Sequence, residues 1–430
     1  MKYKKYPQYI ETDVQWIRTI PSNWIIKRLK YVCPISNTKL NSKPENTRYL
    51  SMENIESWTG KLIEEAEIEE VESAVNVFKE GDILFGKLRP YLAKAYQAEF
   101  DGVCSTELVV LKPTKEISGK YAYYLILSHG FIKMIDALTY GVKMPRASPD
   151  QIHNMLFVVP PKKEQKKIVD FLDGEIDFID ELIRRYHLFI SNLQEKRISL
   201  ITRAVTKGLN PNVKMKHSGV EWIEEIPEHW EIKKIKYLFK VVNGSTPKSG
   251  VEDYWDGDIV WVTPDDLGNL LSSYISESAR MLTIEGYKNC GTTLVPKGSI
   301  VISTRAPIGH LAIADVELCT NQGCKSLILI SKHVVIKYYF YLLKAAKEIL
   351  NSLGKGTTFI ELGTYSLESL NIPLLPKNEQ EQIVQYLNYE TQKIDTLIEK
   401  IKKQIEYLNE YRISLITNAV TGKIDVRGIN

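Results

Sequence analysis

The side chains that most often perform catalysis are scattered in this sequence. Its seven histidines are isolated, and none has a cysteine, aspartate or glutamate neighbour at ligand spacing. Cys319 and Cys324 are the only close cysteine pair, but four residues separate them and no second pair lies nearby, which is poor spacing for zinc. The stretch SLGKGTT resembles a phosphate loop but lacks the first glycine at the required spacing. We therefore expect no catalytic centre, no metal site and no cofactor.

Residues suited to recognition cluster instead in loops that occur twice. In GDILFGKLRPYLAKA (residues 81–95) and GSIVISTRAPIGHLAIA (residues 298–314), a glycine turn leads into an apolar strand, then a basic residue, then a proline. Two further loops, LTYGVKMPRAS (138–148) and NSLGKGTTFIE (351–361), precede long helical stretches. Loops that follow strand ends present side chains from a rigid base, as recognition surfaces do. The sequence thus predicts mixed α/β globular parts that carry recognition loops.

The long helical stretches are also repeated. RISLITRAVT (197–206) and RISLITNAVT (412–421) share nine of ten residues, and each ends a stretch that begins with PK, one residue, then EQ. The stretches 161–206 and 376–421 align without a gap. The duplication also reaches the region before each helix, where WIRTIPSNWIIKRLKYV (16–32) matches WIEEIPEHWEIKKIKYL (222–238). The chain is therefore expected to contain two copies of one unit, each a globular part followed by a long helix.

Each long helix carries an apolar stripe with alternating steps of four and three, which is typical of helix pairing. The positions expected to pair are Leu172, Ile176, Ile179, Ile183, Ile190, Leu193 and Leu200 in the first helix, and Leu387, Ile394, Ile398, Ile401, Ile405, Leu408 and Leu415 in the second. The simplest partner of each helix is the other copy, in an antiparallel pair. The alternative is that each helix packs on its own globular part.

Together these residues resemble a known family. PPKKEQKKIVDFLD and LPKNEQEQIVQYLN, with the two RISLIT helix ends, are similar to the helical regions of the specificity subunit of type I restriction–modification systems. FGKLRPYLAKA and DGVCSTELVVLKP resemble the first recognition domain of that family. NGSTPKSGVEDYWDGDIVWVTPDDL, ISTRAPIGHLAIA and CTNQGCKSLIL resemble the second. The resemblance covers nearly the whole chain.

The resemblance implies a non-catalytic DNA-recognition protein with a pseudo-twofold internal repeat. Target-recognition domains at 1–158 and 211–373 would each read one half of a bipartite site in double-stranded DNA. Helices at 159–210 and 374–430, the latter with a C-terminal tail, would form an antiparallel coiled coil that sets the gap. Two modification subunits would dock on the helices, and ATP-dependent restriction subunits would join through the complex.

Arginine and lysine can bond to guanine edges, asparagine and glutamine to adenine, and serine and threonine to either. On that basis the candidate DNA contacts in the first domain are Lys87, Arg89, Tyr91, Lys94, Lys143 and Arg146. In the second domain they are Ser245, Thr246, Lys248, Thr304, Arg305, Asn321, Gln322, Lys355 and Thr357. Taken alone, each of them is expected to be a phosphate contact or a plain surface residue more often than a base contact, and phosphate contacts carry no sequence information.

Bulk properties are compatible with this interpretation without requiring it. The 430 residues carry a net charge of +3, which permits nucleic-acid binding but does not argue for it. No apolar run reaches the roughly 18 residues that a membrane span needs. Five scattered cysteines suggest a reducing cytoplasm. Two other functions stay open from sequence, namely a coiled-coil protein-interaction scaffold that does not bind DNA and an enzyme with an unrecognised active site.

Overall fold

The computed structural model describes residues 3–63, 72–141, 143–270, 272–356 and 360–428. The chain divides into two compact units. Unit 1 consists of Met1–Leu188 together with Ile401–Asn430, and unit 2 consists of Phe189–Lys400. Each unit thus contains one globular part, here called its head, the beginning of the long helix that follows that head, and the end of the other long helix.

The head of unit 1 is built from short strands and helices. Its strands are β1 (Tyr9–Val14), β2 (Ile17–Pro21), β3 (Ile25–Arg28), β4 (Lys39–Leu40), β5 (Tyr49–Leu50), β6 (Val75–Phe78), β7 (Ile83–Gly86), β8 (Ala95–Gln97), β9 (Gly102–Ser105), β10 (Leu108–Leu111) and β11 (Leu156–Val159). Its helices are α1 (Leu29–Val32), α2 (Gly119–Ile126), α3 (His129–Ala137) and α4 (Pro149–Asn154), and the long helix α5 (Lys162–Lys207) follows β11. The main sheets have the strand orders β4-β6-β9-β5 and β10-β7-β8.

The head of unit 2 repeats this construction. Its strands are β12 (Met215–His217), β13 (Glu225–Pro227), β14 (Glu231–Lys234), β15 (Phe239–Asn243), β16 (Trp255–Val262), β17 (Tyr274–Ile275), β18 (Met281–Leu282), β19 (Ile300–Ser303), β20 (Leu311–Ala314), β21 (Cys319–Thr320), β22 (Cys324–Leu329) and β23 (Asn371–Leu374). Its helices are α6 (Pro264–Gly268), α7 (Ile284–Lys288), α8 (Ile336–Ala345), α9 (Lys347–Ser352) and α10 (Thr364–Ser369), followed by the long α11 (Lys377–Val420). The main sheets have the orders β15-β22-β19-β20-β17 and β18-β16-β21.

One strand in each head lies at the centre of a sheet and supports a predicted recognition loop. Strand β7 is fully buried between β10 and β8, and β19 is fully buried between β22 and β20. Both neighbouring strands run antiparallel to the central strand in each head. Short apolar runs buried on both faces form such central strands. The mixed α/β class and the internal repeat predicted from the sequence are therefore confirmed.

The repeated glutamate at the start of each long helix ties that helix to a buried tryptophan. Glu164 accepts hydrogen bonds from the Trp24 indole nitrogen and the Asn23 amide, both at 3.0 Å. Glu379 accepts one from the Trp230 indole nitrogen at 2.9 Å. Trp24 and Trp230 are almost fully buried, so each indole N–H needs an acceptor within the protein. This requirement explains why the tryptophan and the glutamate occur in both copies.

The glutamine that follows each glutamate is buried as well and satisfies backbone groups. The Gln165 side chain accepts from the Ser118 N–H at 2.7 Å and donates to the Pro160 carbonyl at 2.8 Å. Gln380 accepts from the Val335 N–H at 2.7 Å and donates to the Leu375 carbonyl at 2.9 Å. The repeated EQ pair therefore fixes the start of each long helix on its own head.

Replacing Glu164 with alanine is expected to lower the free energy of unfolding by about 1–3 kcal/mol, because the buried Trp24 N–H would lose its acceptor. Chemical denaturation followed by tryptophan fluorescence measures the loss. Lys166→Ala, two residues further along the same helix, is the matched control. The 2.8 Å ion pair of Lys166 with Asp170 is exposed and contributes less than about 1 kcal/mol to the free energy of unfolding. A Glu164→Ala variant as stable as the control would contradict this role.

The repeated helix end is buried in the head of the other repeat. Ile201, Ala204 and Val205 of α5 belong to the apolar core of unit 2, together with Trp230. The Val205 carbonyl accepts the Tyr338 hydroxyl at 2.7 Å.

The end of α11 does the same in unit 1. Leu415, Ile416, Ala419 and Val420 belong to its core, and the Val420 carbonyl accepts the Tyr121 hydroxyl at 2.9 Å. Four of the nine shared residues are buried in both copies, because both helix ends pack into the cores of related heads. They are Ile201, Ala204, Val205 and Thr206 in α5, and Ile416, Ala419, Val420 and Thr421 at the end of α11.

Within unit 1 the beginning of α5 runs antiparallel to the end of α11. Lys167 donates to the Arg427 carbonyl at 2.6 Å, whereas Asp180, further along α5, pairs with Arg412, earlier in the chain. Ile168 and Leu172 of α5 also lie in the core of the head. In this unit α5 thus contacts both its own head and the other long helix.

An equivalent arginine–aspartate pair joins the two helices in unit 2. Arg197 and Asp395 lie 3.1 Å apart, and they stand 215 positions from Arg412 (412 − 197) and Asp180 (395 − 180) respectively. Arg412 is 4% exposed, whereas the Arg197 side chain is 30% exposed. All fourteen apolar positions expected to pair are buried or half-buried. Their role in pairing stays a prediction.

The described residues show neither a membrane-spanning helix nor a metal cluster. None of the helices in those ranges is both long and apolar enough to cross a bilayer. The same residues contain no group of three or more histidine, cysteine, aspartate or glutamate side chains that could hold a metal ion. Cys319 is buried, and burial raises the pKa of its thiol to about 12.

Candidate nucleic-acid interface

In unit 1 the structure brings the two predicted loops together. The N–H of Arg89, in the loop after β7, donates to the Pro145 carbonyl at 2.7 Å, and the Ala147 N–H donates to the Lys87 carbonyl at 2.9 Å. Arg89 has a φ of 49°, a left-handed conformation that a non-glycine residue adopts only where its surroundings hold it. Residues 87–94, 138–141 and 143–148 therefore form one surface, called here the unit 1 loop surface.

The side chains on the unit 1 loop surface differ in availability. Arg89, Tyr91 and Lys143 are exposed, and Lys87 is half-buried. Lys94 is also half-buried, and its ammonium donates to the Met52 carbonyl at 2.6 Å, so it is partly withdrawn from solvent. The six candidates of the first domain all lie within these two loops.

Arg146 on this surface has an acidic partner that the sequence did not predict. Its guanidinium lies 2.9 Å from the carboxylate of Glu107. Glu107 immediately precedes β10, and its backbone carbonyl accepts the Lys87 N–H at 3.0 Å. An arginine held by one carboxylate keeps free donors, because the guanidinium has five N–H groups.

In unit 2 the corresponding loops also meet. The Leu362 N–H donates to the Thr304 carbonyl at 2.8 Å, and Lys355 and Glu361 exchange two backbone hydrogen bonds of 3.0 Å. Arg305 follows β19 and forms a backbone bridge with Glu361. Residues 304–307, 355–356 and 360–361 thus form the unit 2 loop surface. Thr357 falls outside the described residues.

Charged side chains are concentrated at the centre of the unit 2 loop surface. The Nε of Arg305 lies 3.0 Å from Oε2 of Glu361, and the Nζ of Lys325 lies 3.7 Å from Oε1. Lys325 is buried within β22, and burial lowers the pKa of its ammonium while Glu361 opposes that shift. Arg305 and Lys355 are exposed.

One candidate in unit 2 is not available to a ligand. Thr304 is fully buried, and its hydroxyl donates to the Gly323 carbonyl at 3.2 Å. A threonine immediately after a central strand continues the buried face of that strand for one more residue. Thr304 is therefore removed from the set of DNA contacts that we propose.

The remaining candidates of unit 2 form a polar loop pair. The Ser245 N–H donates to the Thr320 carbonyl at 2.9 Å, and the Thr246 hydroxyl bonds to the Gln322 side chain. The Asn321 side chain accepts the Gly323 N–H at 2.9 Å. A side chain on Gly244 would collide with the Asn321 carbonyl, so glycine permits this close approach. Thr246, Gln322 and Lys248 are exposed.

Three charged residues at these surfaces were missed by sequence reasoning. Glu107 and Glu361 are acidic, and a search for residues that bind phosphate passes over carboxylates. Lys325 lies on an apolar strand, where a lysine is not expected to be buried. Glu361 lies in the predicted recognition loop 351–361. A single acidic residue within this otherwise basic or neutral loop is the sequence signal that could have identified it.

A search of protein-family models matches both halves of the chain. The model described as "Type I restriction modification DNA specificity domain" matches residues 21–185 and 227–407, which include both loop surfaces. The chain belongs to this family. Within the type I specificity family the two matches correspond to the two repeats, and together they cover well over half of the 430 residues.

Individual relatives agree with the family. A "Type I restriction enzyme MjaIX specificity subunit" from Methanocaldococcus jannaschii is 41% identical over 46% of this chain and 45% of its own length. A "Putative type I restriction enzyme MjaX specificity subunit" from the same organism is 27% identical over 99% of both chains. The first match thus spans less than half of that relative, whereas the second spans it almost entirely.

A solved structure also shares the fold. A chain from a study of complex assembly and conformational transition of the type I R-M system superposes with a TM-score of 0.70. The overlap covers 94% of this chain and 99% of that chain at 19% identity. At this identity the likeness supports the fold of the type I specificity family and does not by itself assign residues.

Proposed function

We propose that this chain is the DNA-specificity subunit of a type I restriction–modification enzyme and that it has no catalytic activity of its own. The observation that carries the proposal is the match to a DNA specificity domain in both halves, each with an exposed basic loop surface. Each recognition domain reads one half of a bipartite site in double-stranded DNA. A protein-interaction scaffold without DNA binding is not favoured by this match.

The recognition domains are proposed at 1–158 and 211–373, with the long helices and the tail at 159–210 and 374–430. The helices set the gap between the half-sites and dock two modification subunits. Helices of 46 and 44 residues support this role, because at the α-helical rise they extend roughly 65–70 Å. Restriction subunits join through the assembled complex, which acts on DNA in the cytoplasm.

The proposal is tested by assembling the chain with the modification subunits of its own system and mapping methylated bases in DNA. We expect methylation at one bipartite motif with two fixed half-sites and one fixed gap. The isolated chain should neither methylate nor cleave DNA. A complex that methylates without sequence preference, or at a single uninterrupted motif, would contradict the proposal.

Arg305→Ala should weaken DNA binding by about 1–3 kcal/mol and relax one position of the half-site if Arg305 contacts a base. If Arg305 contacts phosphate, affinity should fall uniformly across sequences and its salt dependence should decrease. Lys297→Ala is the matched control. Lys297 lies before β19, at the opposite end of that strand from Arg305, and its ammonium pairs with Asp315 at 2.8 Å. Unchanged affinity and an unchanged motif would remove Arg305 from the interface.

A further inference from the structure

The two loop surfaces share a backbone framework but carry opposite charges at one equivalent position. In unit 1, Arg146 forms backbone bridges with Leu88 and with Tyr140. In unit 2, Glu361 forms backbone bridges with Arg305 and with Lys355. Glu361 stands 215 positions after Arg146 (361 − 146), the same offset that relates the long helices. One fold position is thus an arginine in one head and a glutamate in the other.

The residues around this position also differ between the two heads. Lys325 of β22 lies opposite Ile302 of β19, and the residue in the matching register of unit 1 is Val109, opposite Phe85 of β7. Unit 2 therefore places a buried ammonium where unit 1 has an apolar side chain. Leu88, the bridge partner of Arg146, likewise corresponds to Arg305. Two cations, Arg305 and Lys325, therefore lie beside Glu361 at positions where the head of unit 1 has apolar side chains.

These cations make a carboxylate tolerable at a surface that meets DNA. An isolated carboxylate would be repelled by phosphates, and a loop that only binds phosphate gains nothing from it. Arg305 holds Oε2 at 3.0 Å, and Lys325 lies 3.7 Å from Oε1, beyond a normal hydrogen bond. Lys325 is only 5% exposed and cannot itself reach a base. The side chain of Glu361 remains 35% exposed, and each carboxylate oxygen has two lone pairs, so Oε1 can accept a further hydrogen bond beside Lys325.

The chemistry of base edges then identifies what such a carboxylate can read. In the major groove, glutamate accepts a hydrogen bond from the N4 amine of cytosine, whereas arginine donates to O6 and N7 of guanine. A neutralised carboxylate in one head and an arginine in the other are therefore suited to different bases. This difference is what two unlike half-sites require.

We propose that Glu361 is a specificity-determining residue of the second recognition domain, and that its carboxylate accepts a hydrogen bond from the exocyclic amine of a cytosine. The inference rests on the proposed function and deepens it. Lys325 is a positioning residue that compensates the charge of Glu361 from within the sheet.

Glu361→Gln tests the assignment because glutamine has the same shape but adds donors, and glutamine pairs with N6 and N7 of adenine. The variant is assembled with the modification subunits, and its methylation motif is mapped on a library with randomised half-sites. We expect preference at one base pair of one half-site to move from cytosine toward adenine by about tenfold or more. The other half-site and the gap should stay as in the natural protein, which also reports that the variant is folded.

Glu348→Gln is the matched control, because Glu348 is an exposed glutamate on α9 of the same unit. A Glu361→Gln motif identical to that of the control would overturn the inference while leaving the proposed function intact. The inference also fails if the altered base pair is the one that Arg305→Ala relaxes, since Glu361 would then act through Arg305. A natural protein without any bipartite motif would overturn the proposed function itself.

Discussion

Arg412→Ala is expected to lower the free energy of unfolding of unit 1 by about 3–5 kcal/mol, the range found when one member of a buried ion pair is removed. Arg412 is 4% exposed, pairs with Asp180 and donates to the Asn409 side chain at 3.3 Å. Without the guanidinium, the Asp180 carboxylate would keep the 2.7 Å contact with Lys61, whose own side chain is 54% exposed. Equilibrium unfolding in urea measures the change.

The same substitution at the equivalent position provides the control. Arg197→Ala should cost about 1 kcal/mol or less, because the side chains of Arg197 and Asp395 are 30% and 48% exposed and water can replace the lost partner. The two arginines share one sequence context, so a large difference between them would isolate the effect of burial. Equal losses in the two variants would show that burial does not govern the strength of these pairs.

Lengthening both long helices should change the gap of the recognised motif without changing its half-sites. Four residues inserted after Leu188 in α5 and four after Lys400 in α11 fall between the two units and leave both arginine–aspartate pairs in place. Four residues add about 6 Å to a helix at the α-helical rise. The gap between the half-sites should therefore grow by at most about two base pairs of DNA. Methylation mapping of the assembled complex measures the gap.

An insertion outside the helices controls for this experiment. Four residues added between Asn210 and Pro211, in the exposed segment after α5, lengthen the chain by the same amount but leave both helices unaltered. The gap should then stay as it is in the natural protein. A gap that is constant in both variants, or half-sites that change with helix length, would argue against the helices as the element that sets the spacing.

Sequence reasoning reached the class of fold because the repeat and the apolar periodicity are local signals. The two long helices, the central strands β7 and β19 and the loops after them all follow from such patterns. Proximity of the loops within each unit could not be derived, because it depends on backbone contacts between residues more than 50 positions apart, such as Arg89 with Pro145.

The candidate site was harder to predict because availability depends on burial and partners. Thr304 is polar but continues a buried strand face. Lys94 is basic but donates to a backbone carbonyl. Glu107 and Glu361 matter because of the arginines that they hold, and pairing across a fold has no signature in one sequence. The apolar residues of the repeated helix end fill the cores of the heads, and which head receives each helix end has no signature in the ten residues themselves.

The composition of unit 1 has a consequence for the order in which the chain folds during synthesis. Leu415, Ile416, Ala419 and Val420 complete the core of that unit, and Gly422 packs against Pro21 and Trp24 near the other end of the chain. Domains made of one continuous segment usually fold in the order in which they leave the ribosome. Here the head that is synthesised first shares its compact unit with Ile401–Asn430, whereas unit 2 ends at Lys400. The second half of the chain can therefore reach its final structure before the first half does.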